Sequence, residues 1–376
     1  MTEISGFCDE KFSPVRAAFE NNFANNGDVG ASVAVSIEGE MVVDLWGGYR
    51  DADKTEPWEE DTIINVYSTT KTMAAQCALL LADRGEIDLY ANVAQYWPEF
   101  AQNGKEQVQV RHFLSHSAGL SGMDQPMQGE ELYDWDRVVS LLAAQAPWWE
   151  PGSASGYHAI TQGHLIGEVV RRVTGKSLGE YYAAEIAGPL GADFHIGTGE
   201  EHFDRIAELV APDVQPESAD SDPDSIANRT FRSPAISARA SRTAGWRKAE
   251  IPAANGHGNA RSVVRAQTPM ANGGSAFGVE LMSADGAARI FDKQTEGDDL
   301  VLGVPIVFGM GYGLTSDVLP MGPNEHIAYW GGWGGSSIVV DQDAHLCCSY
   351  VMNKMGTCIA NDPREKALRD ALYECL

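Results

Sequence analysis

In the stretch "NVYSTTKTMAAQ", residues 65–76, Ser68 and Lys71 stand three positions apart, just ahead of an apolar run. Positions i and i+3 of a helix share a face, so hydroxyl and amine come within hydrogen-bond reach. That pairing suits a serine nucleophile whose proton passes to a neighbouring base, the chemistry of acyl transfer. A helix start adds unpaired backbone N–H groups and a positive local potential, both of which stabilise a developing oxyanion. A simpler reading competes. Serine is a favoured helix N-cap because its hydroxyl accepts from an orphan N–H. Ser68 to Lys71 is the one S-x-x-K in the chain.

Other residues invite chemistry less well. "GKSLG", residues 175–179, fits the G-x-S-x-G nucleophile elbow, which needs a strand before the serine and a helix after it. The preceding "LIGEVVRRVT" has helical periodicity instead, and Ser177 with Glu180 forms a capping box, so Ser177 is expected to be structural. His112 and His116 are spaced i, i+4 like paired metal ligands, but no acidic third ligand accompanies them and no H-E-x-x-H occurs. Structural roles are expected for both, with no metal and no cofactor.

The elements that must position Ser68 and Lys71 follow from periodicity. A helix is expected over about 11–25, and "ASVAVSIEGEMVVDLWGG" reads as two strands turning at Glu38-Gly39-Glu40. Residues 70–83 read as helix with Gly85 as its stop, followed by helices near 110–115, 134–146, 159–174 and 178–187. From about 303 onward come strands, then a closing helix in "DPREKALRDALYECL". Strands at both ends with helices between predict an α/β (α+β) fold. The sheet domain would take residues 1–66 and 246–376, and a mostly helical domain would be inserted over 67–245. Residues 212–258 pass from a Ser/Asp/Pro-rich half to an Arg-rich half, and the lid-like irregular part is expected at about 212–245.

Composition narrows the function classes. The 376 residues carry a formal net charge of −26, which repels nucleic-acid backbones and anionic membranes. No apolar run approaches the ~20 residues needed to span a bilayer, and the first residues lack a signal-peptide pattern. The six cysteines show neither CxxC nor disulfide-framework spacing. They read as small buried thiols in a cytoplasmic protein, with one of the adjacent Cys347 and Cys348 facing the core.

Six stretches in order, "PWEEDTIINVYSTTK", "ADRGEIDLYANVAQYWPEF", "VQVRHFLSHSAGL", "WWEPGSASGYHAITQGHLIGEVVRRVTG", "NGHGNARS" and "YWGGWGGS", resemble the group of class C β-lactamases, penicillin-binding DD-peptidases and family VIII carboxylesterases. The likeness is closest to the carboxylesterases and runs from about Val29 to Met352. It implies a β-lactamase/transpeptidase-like fold, an antiparallel sheet flanked by helices. It also implies Ser68 as nucleophile, Lys71 as its S-x-x-K lysine and Tyr157 as the tyrosine of the second box. Trp330-Gly331-Gly332 would match the third box on the sheet edge, and the amides of Ser68 and Trp333 would form the oxyanion hole.

The chain departs from that pattern twice. Ala159 stands where the second box, Tyr-x-Asn, has its Asn, and no Lys-Thr-Gly occurs. Those polar residues serve anionic amide substrates, so their loss favours esters and leaves at most weak β-lactamase activity. The expected substrate is a short-chain carboxylic ester, in a pocket shaped by Trp330, Gly331, Gly332, Trp149 and His257. A DD-peptidase or amidase, an acyltransferase, and a β-lactam-binding protein without turnover are the alternatives.

Overall fold

The computed structural model describes residues 2–212, 222–358 and 361–376. Among the described residues, nine antiparallel strands make one sheet. Its spatial order is Ile4–Cys8, Glu40–Gly48, Gly30–Ile37, Leu346–Met352, Ser337–Asp341, Ile327–Gly331, Gly313–Leu314, Pro305–Phe308 and Thr295–Asp298. Strands from the two ends of the chain therefore meet in the centre, where Gly30–Ile37 pairs with Leu346–Met352. The hairpin at Glu38-Gly39 forms as expected, with both residues at positive φ (52° and 81°), the conformation its tight turn requires. The edge strands Ile4–Cys8 and Thr295–Asp298 carry no run of alternating apolar residues and were not anticipated.

Both faces of the sheet are covered. On one, Val33, Val35, Leu45, Cys348 and Tyr350 pack against Phe12, Val15 and Phe19 and against Leu368 and Leu372 of the last helix, Pro363–Tyr373. On the other, Ala34, Val340, Cys347 and Val351 join the main core with the helix Ala260–Ala271. Cys347 thus faces the main core, in line with the expectation for one of the pair, and Cys348 is buried as well, in the cluster on the other face. Alternation along a strand separates core from solvent only when one face is wet.

In the helical half, Thr70–Asp83 buries every residue from Thr70 to Leu81, the mark of a helix packed on all sides. Thr161–Thr174, Leu178–Tyr182 and Ala284–Ala288 surround it. Ser177 caps Leu178–Tyr182 in the expected box: its Oγ accepts from the Glu180 amide and the Glu180 carboxylate accepts from the Ser177 amide. Part of the segment expected to be a lid, residues 213–221, lies outside the described residues. Beyond it the chain forms short helical turns at Ile226–Arg232, Ala238–Arg242 and Ala244–Lys248. Trp246 roots the last of them, buried with its indole N–H donated to Asn65 at 2.7 Å.

Candidate active site

Ser68 lies in a single helical turn, Tyr67–Thr69, that runs directly into Thr70–Asp83. The amide N–H of Ser68 is therefore among those at the helix start that have no intrahelical acceptor. The residue before it, Tyr67, adopts φ 45°, a left-handed conformation that costs a non-glycine residue of order 1 kcal/mol or more. Surrounding bonds hold this turn in place. Thr70 Oγ1 donates to the Tyr67 carbonyl at 2.5 Å and accepts from the Gly256 amide at 2.9 Å.

Lys71 and Tyr157 converge on Ser68. The Nζ of Lys71 is 3.1 Å from Ser68 Oγ, and the Tyr157 hydroxyl donates to that same oxygen at 2.5 Å. Ser68 is partly exposed, whereas Lys71 and Tyr157 are buried. Lys71 also donates to the carbonyls of Ala159 at 2.7 Å and Ala253 at 2.8 Å. Position 159, an alanine with no polar side chain, thus contributes its backbone oxygen. Gly163 makes room for the other carbonyl, since a Cβ there would lie 2.4 Å from the Ala253 nitrogen.

Burial sets the protonation of these groups. Removal from water disfavours the ammonium and pushes Lys71 well below the usual lysine range. The same burial raises the Tyr157 phenol; the Ser68 hydrogen bond opposes that rise and the charge of Asp299 adds to it. Beside them His116 is driven well below the ordinary histidine range, first by burial and then by His158 and Lys71. Burial likewise takes His158 down to about 3.

An aromatic wall closes one side. Trp330 stacks on His116 (ring centroids 5.7 Å apart, planes 24°) and lies 5.6 Å from both Tyr157 and Phe308. Among the described residues the buried Nε1–H of Trp330 has no hydrogen-bond partner. Trp330 and Gly331 end the strand Ile327–Gly331, and Gly332 begins the loop that docks on the Ser68 turn. In that loop the amide N–H of Trp333 has no hydrogen-bond partner among the described residues, and its ring lies 5.1 Å from that of Tyr67.

Two further residues were expected in the pocket. Trp149 is half-buried, lies edge-on to His158, and donates its indole N–H to the Ala154 carbonyl at 3.0 Å. Gly156 is what lets it approach, because a Cβ there would strike the Trp149 ring at 2.5 Å. His257 does not face the cleft. It is fully buried in a short strand paired with Ile64–Asn65, its Nδ1 3.0 Å from the Thr198 hydroxyl. Neither His112 nor His116 belongs to a metal-binding group among the described residues. A separate depression of ≈ 470 Å³, lined by Arg50, Glu59, Asp61, Glu201 and Arg205 among others, contains none of the residues around Ser68.

Three contributors were not legible in the sequence: the Ala253 carbonyl, the ring of His116 and the carboxylate of Asp299. His116 stood in a stretch that carried the family likeness, "VQVRHFLSHSAGL", but in no recognised box. A backbone oxygen leaves no residue-type signature at all.

The chain as a whole has relatives among known proteins. The Beta-lactamase family matches residues 15–372. The chain belongs to that family. Esterase/beta-lactamase LipL of Mycobacterium tuberculosis (strain ATCC 25618 / H37Rv) is 35% identical over 367 residues, 94% of this chain and 83% of the relative. Among solved structures, a family VIII carboxylesterase superposes with a TM-score of 0.94 at 44% identity, covering 100% of both chains. A penicillin-binding protein homolog from Caulobacter crescentus gives a TM-score of 0.93 at 39% identity, again over 100% of both. In this member of the Beta-lactamase family, the strand Ile327–Gly331 presents the indole of Trp330 near its end.

Proposed function

We propose that the protein is a serine carboxylesterase that hydrolyses short-chain esters through an acyl-enzyme on Ser68. The observation that carries this reading is the hydrogen-bonding of Lys71. A neutral amine has two N–H bonds and one lone pair. In the neutral form that burial favours, the carbonyls of Ala159 and Ala253 take both N–H bonds, and the lone pair is left for the Ser68 hydroxyl 3.1 Å away.

Ser68 Oγ then attacks the ester carbonyl while its proton moves to Lys71. The Tyr157 hydroxyl gives its proton to the departing alkoxide, and the Lys71 ammonium restores it. Water repeats the sequence on the acyl-enzyme, releasing the acid and regenerating Ser68. Amides of Ser68 and Trp333 bind the oxyanion, a contribution of roughly 10²–10³ in rate per donor in other enzymes.

Trp330, with no cation in its place, favours neutral esters over anionic β-lactams. Slow β-lactam hydrolysis is the second reading, supported by the double name of the Mycobacterium relative. Steady release of nitrophenol from p-nitrophenyl butyrate by the wild type, and its loss in folded Ser68→Ala, tests the proposal. A single burst without turnover points instead to a β-lactam-binding protein. Retention of wild-type activity by Ser68→Ala ends the Ser68 assignment.

A further inference from the structure

Asp299 lies 142 positions beyond Tyr157 and is bonded to it. The carboxylate is 1% exposed. Its Oδ1 accepts three amide N–H bonds, from Tyr157 at 3.0 Å, Val301 at 3.0 Å and Leu302 at 2.9 Å. A second tie joins the two segments, since the Leu300 amide donates to the Ser155 carbonyl at 2.9 Å. The other oxygen is different. Oδ2 is buried with no hydrogen-bond partner, and among the described residues no Arg, Lys or His forms an ion pair with Asp299.

A buried carboxylate is ordinarily paired, so this one calls for a reason. Anchoring the three amides needs only an oxygen acceptor, which Asn would supply equally well. The charge is surplus to the anchor. Its surroundings show what it acts on. Ser68 and Lys71 face Tyr157 from the nucleophile helix, with Nζ 4.8 Å from the phenol ring centroid. His116 faces it from the loop after Val110–Leu114 at 5.0 Å between rings, His158 follows it in the chain, and Trp330 adds a neutral indole. Burial holds Lys71, His116 and His158 toward their neutral forms, and the charge of Asp299 adds to the rise of the Tyr157 phenol. A negative charge disfavours a phenolate.

We propose that Asp299 is a positioning residue that fixes the backbone of Tyr157 and, through its unpaired charge, keeps the phenol in its proton-donating form. Lys71 is then the base for Ser68, and Tyr157 the donor to the leaving group. This inference rests on the ester-hydrolysis reading of Ser68, Lys71 and Tyr157, but its test does not require turnover. A fluorinated tyrosine, more acidic than tyrosine itself, is installed at position 157 and its ionisation is followed by fluorine NMR in the full-length protein.

With Asp299→Asn the titration midpoint is expected to fall by about one to two pH units, the size that a unit charge exerts over roughly 6–12 Å at an effective dielectric near 20. Asp299→Glu, which restores the charge, is expected to return the midpoint toward wild type. An unchanged midpoint in folded Asp299→Asn overturns the proposal, because a purely structural anchor does not move it. If that variant does not fold, Asp299→Ser is titrated in the same way and judged by the same criterion. Failure of the wild type to turn over p-nitrophenyl butyrate would strike the ester reading alone and leave this measurement intact.

Discussion

A Cβ built on Gly332 would lie 2.1 Å from the carbonyl oxygen of Val66. The end of the sheet-edge box and the turn that presents Ser68 are therefore in backbone contact. Ser336 completes the joint, donating to the Val66 carbonyl at 2.7 Å and lying 2.9 Å from Thr69 Oγ1. The loop carrying the Trp333 amide is thereby positioned against the segment that carries the Ser68 amide. Gly332→Ala is expected to drive these segments apart. Stability should fall by about 1–3 kcal/mol, as overpacking does elsewhere, and kcat should fall by roughly 10²-fold or more as an oxyanion donor is displaced. Urea unfolding and nitrophenyl ester kinetics on the same preparation check both; full activity would mean that the loop does not serve the reaction.

Lys71 predicts a pH dependence with a definite sign. Its folded-state value lies well below 10.5, so between the two values the unfolded chain holds more protons on this group than the folded one. Stability then rises with pH across that window, by up to ~1.4 kcal/mol per pH unit from this residue. Lys71→Met removes the effect. Its advantage in unfolding free energy over wild type should be greatest at neutral pH and shrink as pH approaches 10, a trend that urea titrations at several pH values read directly. Lys71→Arg, permanently protonated, should lose esterase activity by roughly 10²–10⁴-fold. A pH-independent difference between Lys71→Met and wild type would mean that Lys71 is not held neutral.

How far the sequence revealed this protein depends on what kind of contact each part makes. The hairpin at Glu38-Gly39 was legible because alternation and a positive-φ turn are local. The gathering of Ser68, Lys71 and Tyr157 was legible because S-x-x-K and the second box are tied to residue type. The edge strands Ile4–Cys8 and Thr295–Asp298 were not, since each owes its form to a neighbour already in the sheet. Asp299 gave no signal, because one carboxylate among the acidic residues of "EGDDLVLG" looks like solvated surface until the fold buries it. His257 misled for the opposite reason. A histidine in a glycine-rich stretch suggests a cleft, yet those glycines make room for the ring of Phe194, which a Cβ on Gly256 or Gly258 would strike.

His158 predicts an acid limb to stability. Its Nε2 accepts from the Leu120 amide at 3.1 Å and its Nδ1 lies 2.6 Å from the Gly156 carbonyl, an arrangement that fits the neutral ring. Burial lowers it from 6.5 to about 3. The contribution to stability is thus complete above pH 6.5 and is lost as pH falls toward 3, at up to ~1.4 kcal/mol per pH unit. His158→Gln keeps one donor and one acceptor but does not titrate. Its unfolding free energy should fall less steeply than that of wild type between pH 7 and pH 5, and parallel slopes would rule out the assignment.

Arg364, at the start of the last helix, reaches the same loop from behind. Its guanidinium donates to Asp28 at 2.9 Å, to Asp362 at 2.7 and 2.9 Å, and to the Gly334 carbonyl at 3.1 Å. Gly334 also accepts from the Gly356 amide at 2.7 Å, so the carbonyl next to Trp333 is held twice. Arg364→Met removes the cation and strands two buried carboxylates, which should cost about 3–5 kcal/mol. Arg364→Lys keeps a charge but cannot reproduce the fork, so it should fold better than Arg364→Met and still lose rate. The informative readout is therefore kinetic. If Arg364 fixes the Trp333 amide, Arg364→Lys should lower kcat more than it raises KM, since an oxyanion contact is made mainly in the transition state. A rise in KM with kcat unchanged would place the effect of Arg364 on substrate binding and not on the loop.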